Sequence, residues 1–284
     1  MADETPGEIE LFRKNFDSAV KNIALNKVRI KPLLTVQKSN AAEEYFYQES
    51  IYNITSSNQI PRGAEFTADQ VKYTRQVLRP RKMGMESRID WEDSIVNNVD
   101  IIQRTTLRIG NRIAFDVDTR CWNIISDSQS AVDINTFTAS NNWNHATRSS
   151  RLPHEDCARA KRLISDSNLQ AYQADTILLE PLSLAYLVTN DYTLSSFDSS
   201  SPEIMKTGNL GTFLGMNVIE SPIVTDDYGL ILEAGTCATY KEVAPMQTEV
   251  IRDPGIKLVL RGWEYGDAAL TDPKAICLLV DLLA

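Results

Sequence analysis

One stretch limits what this chain can fold into more than any other. Residues 93–125 carry Ile95, Val99, Ile102, Ile109, Ile113, Val117, Cys121 and Ile124 in steps of three and four, with Thr106 filling the one gap. That spacing puts them on one face of a helix. No proline interrupts the run, and Gly110 is its only weak point. The helix would hold about 30 residues and reach ~45 Å at 1.5 Å per residue. That is more than twice the usual length of ~11–12 residues, and too long for a compact core. Arg104, Arg108 and Arg112 repeat every four residues and so form one stripe, bracketed at the same step by Asp100 and Asp116. The stripe reads as a solvated face of internal ion pairs.

The rest of the composition mainly excludes. With 284 residues, 43% hydrophobic and 24% charged, the chain is an ordinary globular one of one large or two small domains. Its longest apolar run, Ala275 to Val280, is six residues, against ~20 for a membrane helix. Residues 1–6 are acidic and polar, so no secretory signal is read there. Cys121, Cys157, Cys237 and Cys277 form no CxxC pair, and only His145 and His154 accompany them. Four reduced thiols are expected, rather than a zinc site or a disulfide framework. Residues 1–112 hold 17 basic against 15 acidic residues, and residues 113–284 hold 12 against 23. A pI of about 4.9 is not that of a tight nucleic-acid binder, which usually lies above ~9. The uneven charge still permits two chemically different faces.

The search for catalytic chemistry returns nothing. There is no GxSxG elbow and no GxxxxGK[ST] phosphate loop. Gly208, Gly211 and Gly215 have the wrong spacing for a dinucleotide loop and read as loop punctuation. Asp226-Asp227 reads as a turn ahead of Tyr228-Gly229, and neither histidine sits in an HExxH context. Asn53-Ile54-Thr55 is a glycosylation acceptor only in a secreted protein. No catalytic residue, metal site or cofactor is expected.

Along the chain, Ile9, Phe12, Phe16, Ala19, Val20 and Ile23 mark an amphipathic helix over 7–25, followed by an extended 27–38 around Pro32. This reads as a helix plus arm outside any closed core. Residues 44–54 and 66–78 are β-prone runs around a polar tip near 56–65. Such a long two-stranded excursion is marginal alone and needs something to lie on. Residues 39–61 hold Glu43, Glu44 and Glu49 without a basic residue, while 72–88 hold Lys72, Arg75, Arg79, Arg81, Lys82 and Arg88. The two arms can therefore pair with each other or with a neighbour. The chain is polar from 126 to 151. Helices then open at Pro153, with Cys157, Ala160, Leu163 and Ile164 inward, and at Pro181. Strands are expected at 176–180, 217–219, 229–233, 238–243, 257–263 and 275–280. The fold class is α+β without βαβ regularity.

Three segments bring a resemblance. They are Arg79 to Glu92, Gly211 to Val224 with Gly215-Met216-Asn217-Val218-Ile219-Glu220-Ser221-Pro222, and the ending from Arg261-Gly-Trp-Glu-Tyr-Gly-Asp through Thr271-Asp-Pro-Lys-Ala. In this order the chain resembles the major capsid proteins of tailed phages, the Hong Kong ninety-seven fold shared with encapsulins and herpesvirus capsid floors. The resemblance implies an N-terminal arm (1–40) and an extended hairpin loop (41–84). It further implies a peripheral domain with the spine helix (85–153 and 236–284) and an axial domain (154–235). It implies a shell subunit and not an enzyme, self-assembling into hexamers and pentamers of an icosahedral virion capsid in the host cytoplasm. The shell would enclose double-stranded DNA, with portal, scaffolding and cement proteins as partners and no membrane. Arg62, Glu65, Phe66, Arg75, Arg79 and Arg81 are the expected subunit-interface residues. Arg104, Arg108 and Arg112 are the expected inner-face contact to DNA. The Ser-rich loop 195–206 is expected to differ between hexamer and pentamer positions. An encapsulin-type compartment shell and an unrecognised α+β enzyme are the alternatives.

Overall fold

The computed structural model describes residues 6–49, 62–65, 73–96, 101–126, 134–166, 172–190 and 211–284. The expected tip of the hairpin loop apart from 62–65, the whole of the Ser-rich loop 195–206, Asn53-Ile54-Thr55, Gly208 and Asp100 lie outside these residues. The chain divides into two compact units.

The first unit comprises Met1–Glu44, Leu78–Ile124 and Thr239–Ala269. Its helices are α1 (Pro6–Lys27), α2 (Trp91–Val96) and α3 (Ile101–Ile125). The long periodic run is therefore helical wherever it is described, over Trp91–Val96 and again over 25 residues of α3. Four strands form one sheet in the order β1 (Thr35–Lys38), β10 (Ala238–Asp253), β11 (Lys257–Leu270), β4 (Arg81–Asp90). β1 runs parallel to β10. β11 pairs antiparallel with β4 from Lys257 opposite Asp90 to Gly266 opposite Arg81. β10 and β11 extend well beyond the expected 238–243 and 257–263. Beyond those limits polar and charged residues interrupt the apolar pattern, Gln247, Glu249, Arg252 and Asp253 on β10 and Glu264 and Asp267 on β11.

α3 is the core of this unit. It buries Ile109, Ile113, Ala114, Val117, Cys121 and Trp122. Two glycines set how closely its neighbours come. A Cβ on Gly110 would lie 2.9 Å from Ile23 Cγ2 of α1, and one on Gly262 of β11 would lie 2.8 Å from Ile113 Cδ1. The weak point of the helix is thus the place where α1 packs flush against it. α1 buries Phe16, Val20 and Ala24, and Ile30 beyond it is fully buried. This corrects the expectation of an arm outside the core: the apolar face of α1 finds its partner on α3.

Past α1 the chain is fastened by a carboxylate. Asp118 is fully buried and accepts the backbone N–H of Arg29 at 2.6 Å, Ile30 at 3.1 Å and Lys31 at 3.0 Å. Lys31 starts a 3-10 turn (Lys31–Leu33) where simple extension was expected. Its ammonium lies 2.8 Å from Glu242 on β10 and 2.6 Å from Glu264 on β11, and the Tyr240 hydroxyl donates to the same Glu264 oxygen at 2.8 Å. Burial works against the charged Lys31, but the facing Glu264 and Glu242 outweigh it and hold its pKa above the ordinary lysine value. Burial raises the Asp118 carboxyl, with Glu264 adding repulsion, against the lowering effect of the three N–H groups.

The second unit comprises Tyr45–Val77, Ile125–Ala238 and Leu270–Ala284. Its six-stranded sheet runs β5 (Asn135–Thr138), β12 (Ile276–Val280), β9 (Gly229–Leu232), β6 (Thr176–Leu179), β8 (Met216–Glu220), β7 (Thr212–Phe213). β6 and β9 are buried throughout, as is β12 up to its last residue. β12 pairs with β9 and β5, so residues 236–284, expected as one segment of one domain, divide between the two sheets. β5 lies in the stretch read only as polar, because just four residues pair and half of them face solvent. α4 (Pro153–Asp166) turns Cys157, Ala160 and Ile164 inward, while Leu163 is 37% exposed, contrary to expectation. α5 (Pro181–Val188) buries Ser183 and Leu187. The two remaining strands, β2 (Glu44–Glu49) and β3 (Tyr73–Leu78), form a separate two-stranded sheet.

All four cysteines are free and buried. Burial pushes the Cys237 and Cys277 thiols up to about 12.

Two outcomes are expected in urea unfolding. Gly262→Val should lower stability by about 1–3 kcal/mol, because the added methyls meet Ile113 and Ile109. A raised Asp118 pKa favours the protonated form in the folded state. Its contribution is therefore fully present below the ordinary value of 3.8 and is lost as pH rises through the folded value. Wild type should lose stability relative to Asp118→Asn across that rise, and parallel pH profiles would refute this.

Candidate assembly surfaces

The hairpin is held first by its own opposite charges. Glu43 and Arg79 pair at 2.8 Å across its base, and the Arg75 guanidinium stacks 3.6 Å from the centroid of the Tyr45 ring. Lys241 on β10 reaches Glu44 at 3.2 Å and also donates to Gln37 of β1 at 2.8 Å. The two arms thus pair with each other at the described end, one of the two arrangements their charges allow. Tyr45, Tyr47 and Val77 stay exposed, which gives the ribbon apolar patches between its charges.

The six interface candidates separate into groups. Arg62 and Glu65 are exposed, with the turn glycine Gly63 between them at φ 86°. Phe66 lies outside the described residues. Arg75 and Arg79 belong to the base just described. Arg81 lies 3.8 Å from Asp267, whose main partner is the bidentate Arg120 at 2.8 and 3.0 Å. Asp267 is 1% exposed and Arg120 half-buried, so α3 and β11 are joined by a part-buried charge pair that the sequence spacing did not reveal.

β4 carries Arg81, Lys82, Glu86 and Arg88 exposed along the open edge of its sheet. Glu86 accepts from Arg88 at 3.0 Å and from Arg261 at 2.6 Å, and these two arginines hold its carboxyl below the ordinary range. Gly84 lets β4 approach the ring-bearing position opposite it, since a Cβ there would lie 2.6 Å from the Gly262 carbonyl oxygen and 2.7 Å from Trp263 Cβ.

Arg104, Arg108 and Arg112 all lie exposed on α3. Arg112 pairs with Asp116 at 3.1 Å. Among the described residues, Arg104 and Arg108 form no ion pair. The remaining motifs are structural. Gly211 and Gly215 adopt positive φ of 63° and 77° around the β7–β8 turn. Asp227, at φ 74°, accepts the Leu283 N–H on its carboxylate at 2.6 Å and so pins the last strand's exit. His145 accepts the Thr147 N–H on Nδ1 at 3.1 Å. Among the described residues, no three His, Cys, Asp or Glu side chains gather as a metal site, and no helix is long and apolar enough to cross a membrane.

A family model described as phage capsid protein matches residues 74–279. The chain belongs to the phage capsid protein family. Its fold is that of solved phage shells. It is similar to Mycobacterium phage Che8 at 16% identity and TM-score 0.65, covering 86% of each chain. It is similar to the capsid of cyanophage P-SCSP1u at 14% identity and TM-score 0.67, covering 90% of this chain and 89% of that one. It is also similar to a virus-like particle from Pyrococcus furiosus at 12% identity and TM-score 0.66, covering 94% and 99%. No curated protein matches by sequence. This phage capsid protein is a structural shell protein of the virion, and the expected fold is borne out.

The Glu43–Arg79 pair is 47% and 76% exposed. A double-mutant cycle with Glu43→Ala and Arg79→Ala should therefore give a coupling below about 1 kcal/mol. A markedly larger value would mean the pair is buried in the assembled shell.

Proposed function

We propose that this capsid protein is the major shell subunit, forming hexamers and pentamers of an icosahedral capsid around double-stranded DNA. Assembly would take place in the host cytoplasm, with portal, scaffolding and cement proteins as partners and without catalysis by this chain. The family match over residues 74–279 carries the reading. The arm (1–40), hairpin loop (41–84), peripheral and axial divisions are proposed on the likeness in fold to solved shells, which covers 86–94% of this chain. The exposure of Arg62, Glu65, Arg75, Arg79 and Arg81 supports a role for them in closing contacts between copies, and Phe66 is proposed with them. Electron microscopy of the expressed protein, with assay of particle contents, tests this. Closed shells are expected, and a small soluble oligomer would overturn the reading. The similarity to a virus-like particle over 94% of this chain favours a second reading, a compartment shell, for which the particles would hold protein and no genome.

Deleting residues 57–64 should leave a folded subunit that no longer closes shells, and normal particles would refute the interface role. Arg104, Arg108 and Arg112 are proposed to meet packaged DNA on the inner wall. Three phosphate contacts imply a salt slope of only about −2.7, weak enough for a genome that must move. The triple Arg→Gln variant should form shells in which genome density beside the wall is reduced. Unchanged density would leave the stripe a solvated face.

A further inference from the structure

Phosphate contacts do not explain the whole exposed face of α3. At 100° per residue, Arg104, Leu107, Arg108, Asn111, Arg112 and Phe115 fall within an arc of about 140°, and all six are exposed. Leu107 and Phe115 keep 43% and 44% of their surface open. Single exposed apolar residues are ordinary. Two of them on one helix face, about 12 Å apart along the axis and beside a basic row, are not. Leu107, Asn111 and Phe115 form one ridge of i+4 steps, and Arg104, Arg108 and Arg112 form the next. The groove between two such ridges receives the ridge of a second helix. The Arg112 guanidinium lies 5.7 Å from the centroid of the Phe115 ring, so the charged and apolar rows meet in one surface.

Resting on the shell reading above, we propose that this face docks an amphipathic helix of a separate assembly protein. Apolar side chains of that helix pack on Leu107 and Phe115, and its flanking Glu or Asp residues pair with Arg104, Arg108 and Arg112. Charge complementarity selects this occupant. The described face offers three arginines, of which Asp116 pairs with Arg112 alone. A second copy meeting this face with the same face of its own α3 would set one basic row against another and be repelled. Duplex DNA satisfies the arginines but gains nothing from a leucine and a phenylalanine. Because both ligands use the same arginines, they exclude each other: the acidic helix has to leave before nucleic acid lies against α3.

The test uses the full-length chain as unassembled subunits. The probes are a fluorescent designed peptide of about five helical turns, with leucines two turns apart flanked by glutamates, and a short DNA duplex, both read by anisotropy. Leu107→Ser with Phe115→Ser should weaken the peptide roughly tenfold or more and leave the duplex unchanged. The triple Arg→Gln variant should weaken both, and Phe115→Leu should retain the peptide. Circular dichroism melts confirm that each variant is folded. No peptide binding by wild type, or binding indifferent to the Leu107 and Phe115 changes, overturns the proposal. So does a double-serine variant whose only change is a loss of self-association, since the face would then be a contact between copies. Failure of the shell reading shows separately, as absence of particles in micrographs of the wild type.

Discussion

Close approach to α3 from two sides is the constraint on which the first unit rests. A helix of 25 residues gains most of its stability from what covers it, not from its own propensities. Here α1 covers it at Gly110 and β11 covers it at Gly262, and at both places a methyl group would already be too large. Each glycine gives up a little intrinsic stability. In exchange, aliphatic side chains of the neighbour come into van der Waals contact along the helix.

The polar contacts sit where that packing would otherwise leave backbone groups unsatisfied. The chain leaving α1 turns with three N–H groups aimed into the interior, and Asp118 accepts all three. Lys31 is then carried to Glu242 and Glu264, which ties the turn to both strands of the long hairpin. A buried ammonium between two carboxylates gains little over an apolar core of the same volume, but breaking it by removing one partner is costly. Its effect is to fix the register of three segments that lie far apart in the sequence.

Much of this was legible in the sequence. The three-and-four spacing of Ile109, Ile113, Val117 and Cys121 marked the spine helix and its buried face. Compact apolar runs marked β6, β9 and β12, and proline marked the starts of α4 and α5. The partners were not legible. Nothing in the spacing of Phe16, Val20 and Ile23 says that they lie on α3, and Gly110 looked like a defect because its reason stands on another segment. β5 and the charged half of β10 carry no apolar pattern, since their neighbours, not their own burial, make them strands. The arginine candidates were visible as a stripe, but the apolar ridge beside them was masked by its spacing within an otherwise mixed face. The Arg120–Asp267 pair joins positions 147 residues apart, a relation that periodicity does not express.

The open edge of β4 has a bearing on how copies of this protein can and cannot accumulate. Among the described residues no strand pairs with the outer side of β4, and the outward-facing N–H and C=O groups along its ten residues would serve as a template for sheet extension, the geometry by which fibres grow without limit. Arg81, Lys82, Glu86 and Arg88 make that template hard to use, because an incoming identical strand would have to desolvate a row of charges. Growth along the hydrogen-bonding direction is thereby discouraged, and copies are left to meet through side-chain surfaces, whose angles can close on themselves. That charged edge works for a finite shell and against an endless filament.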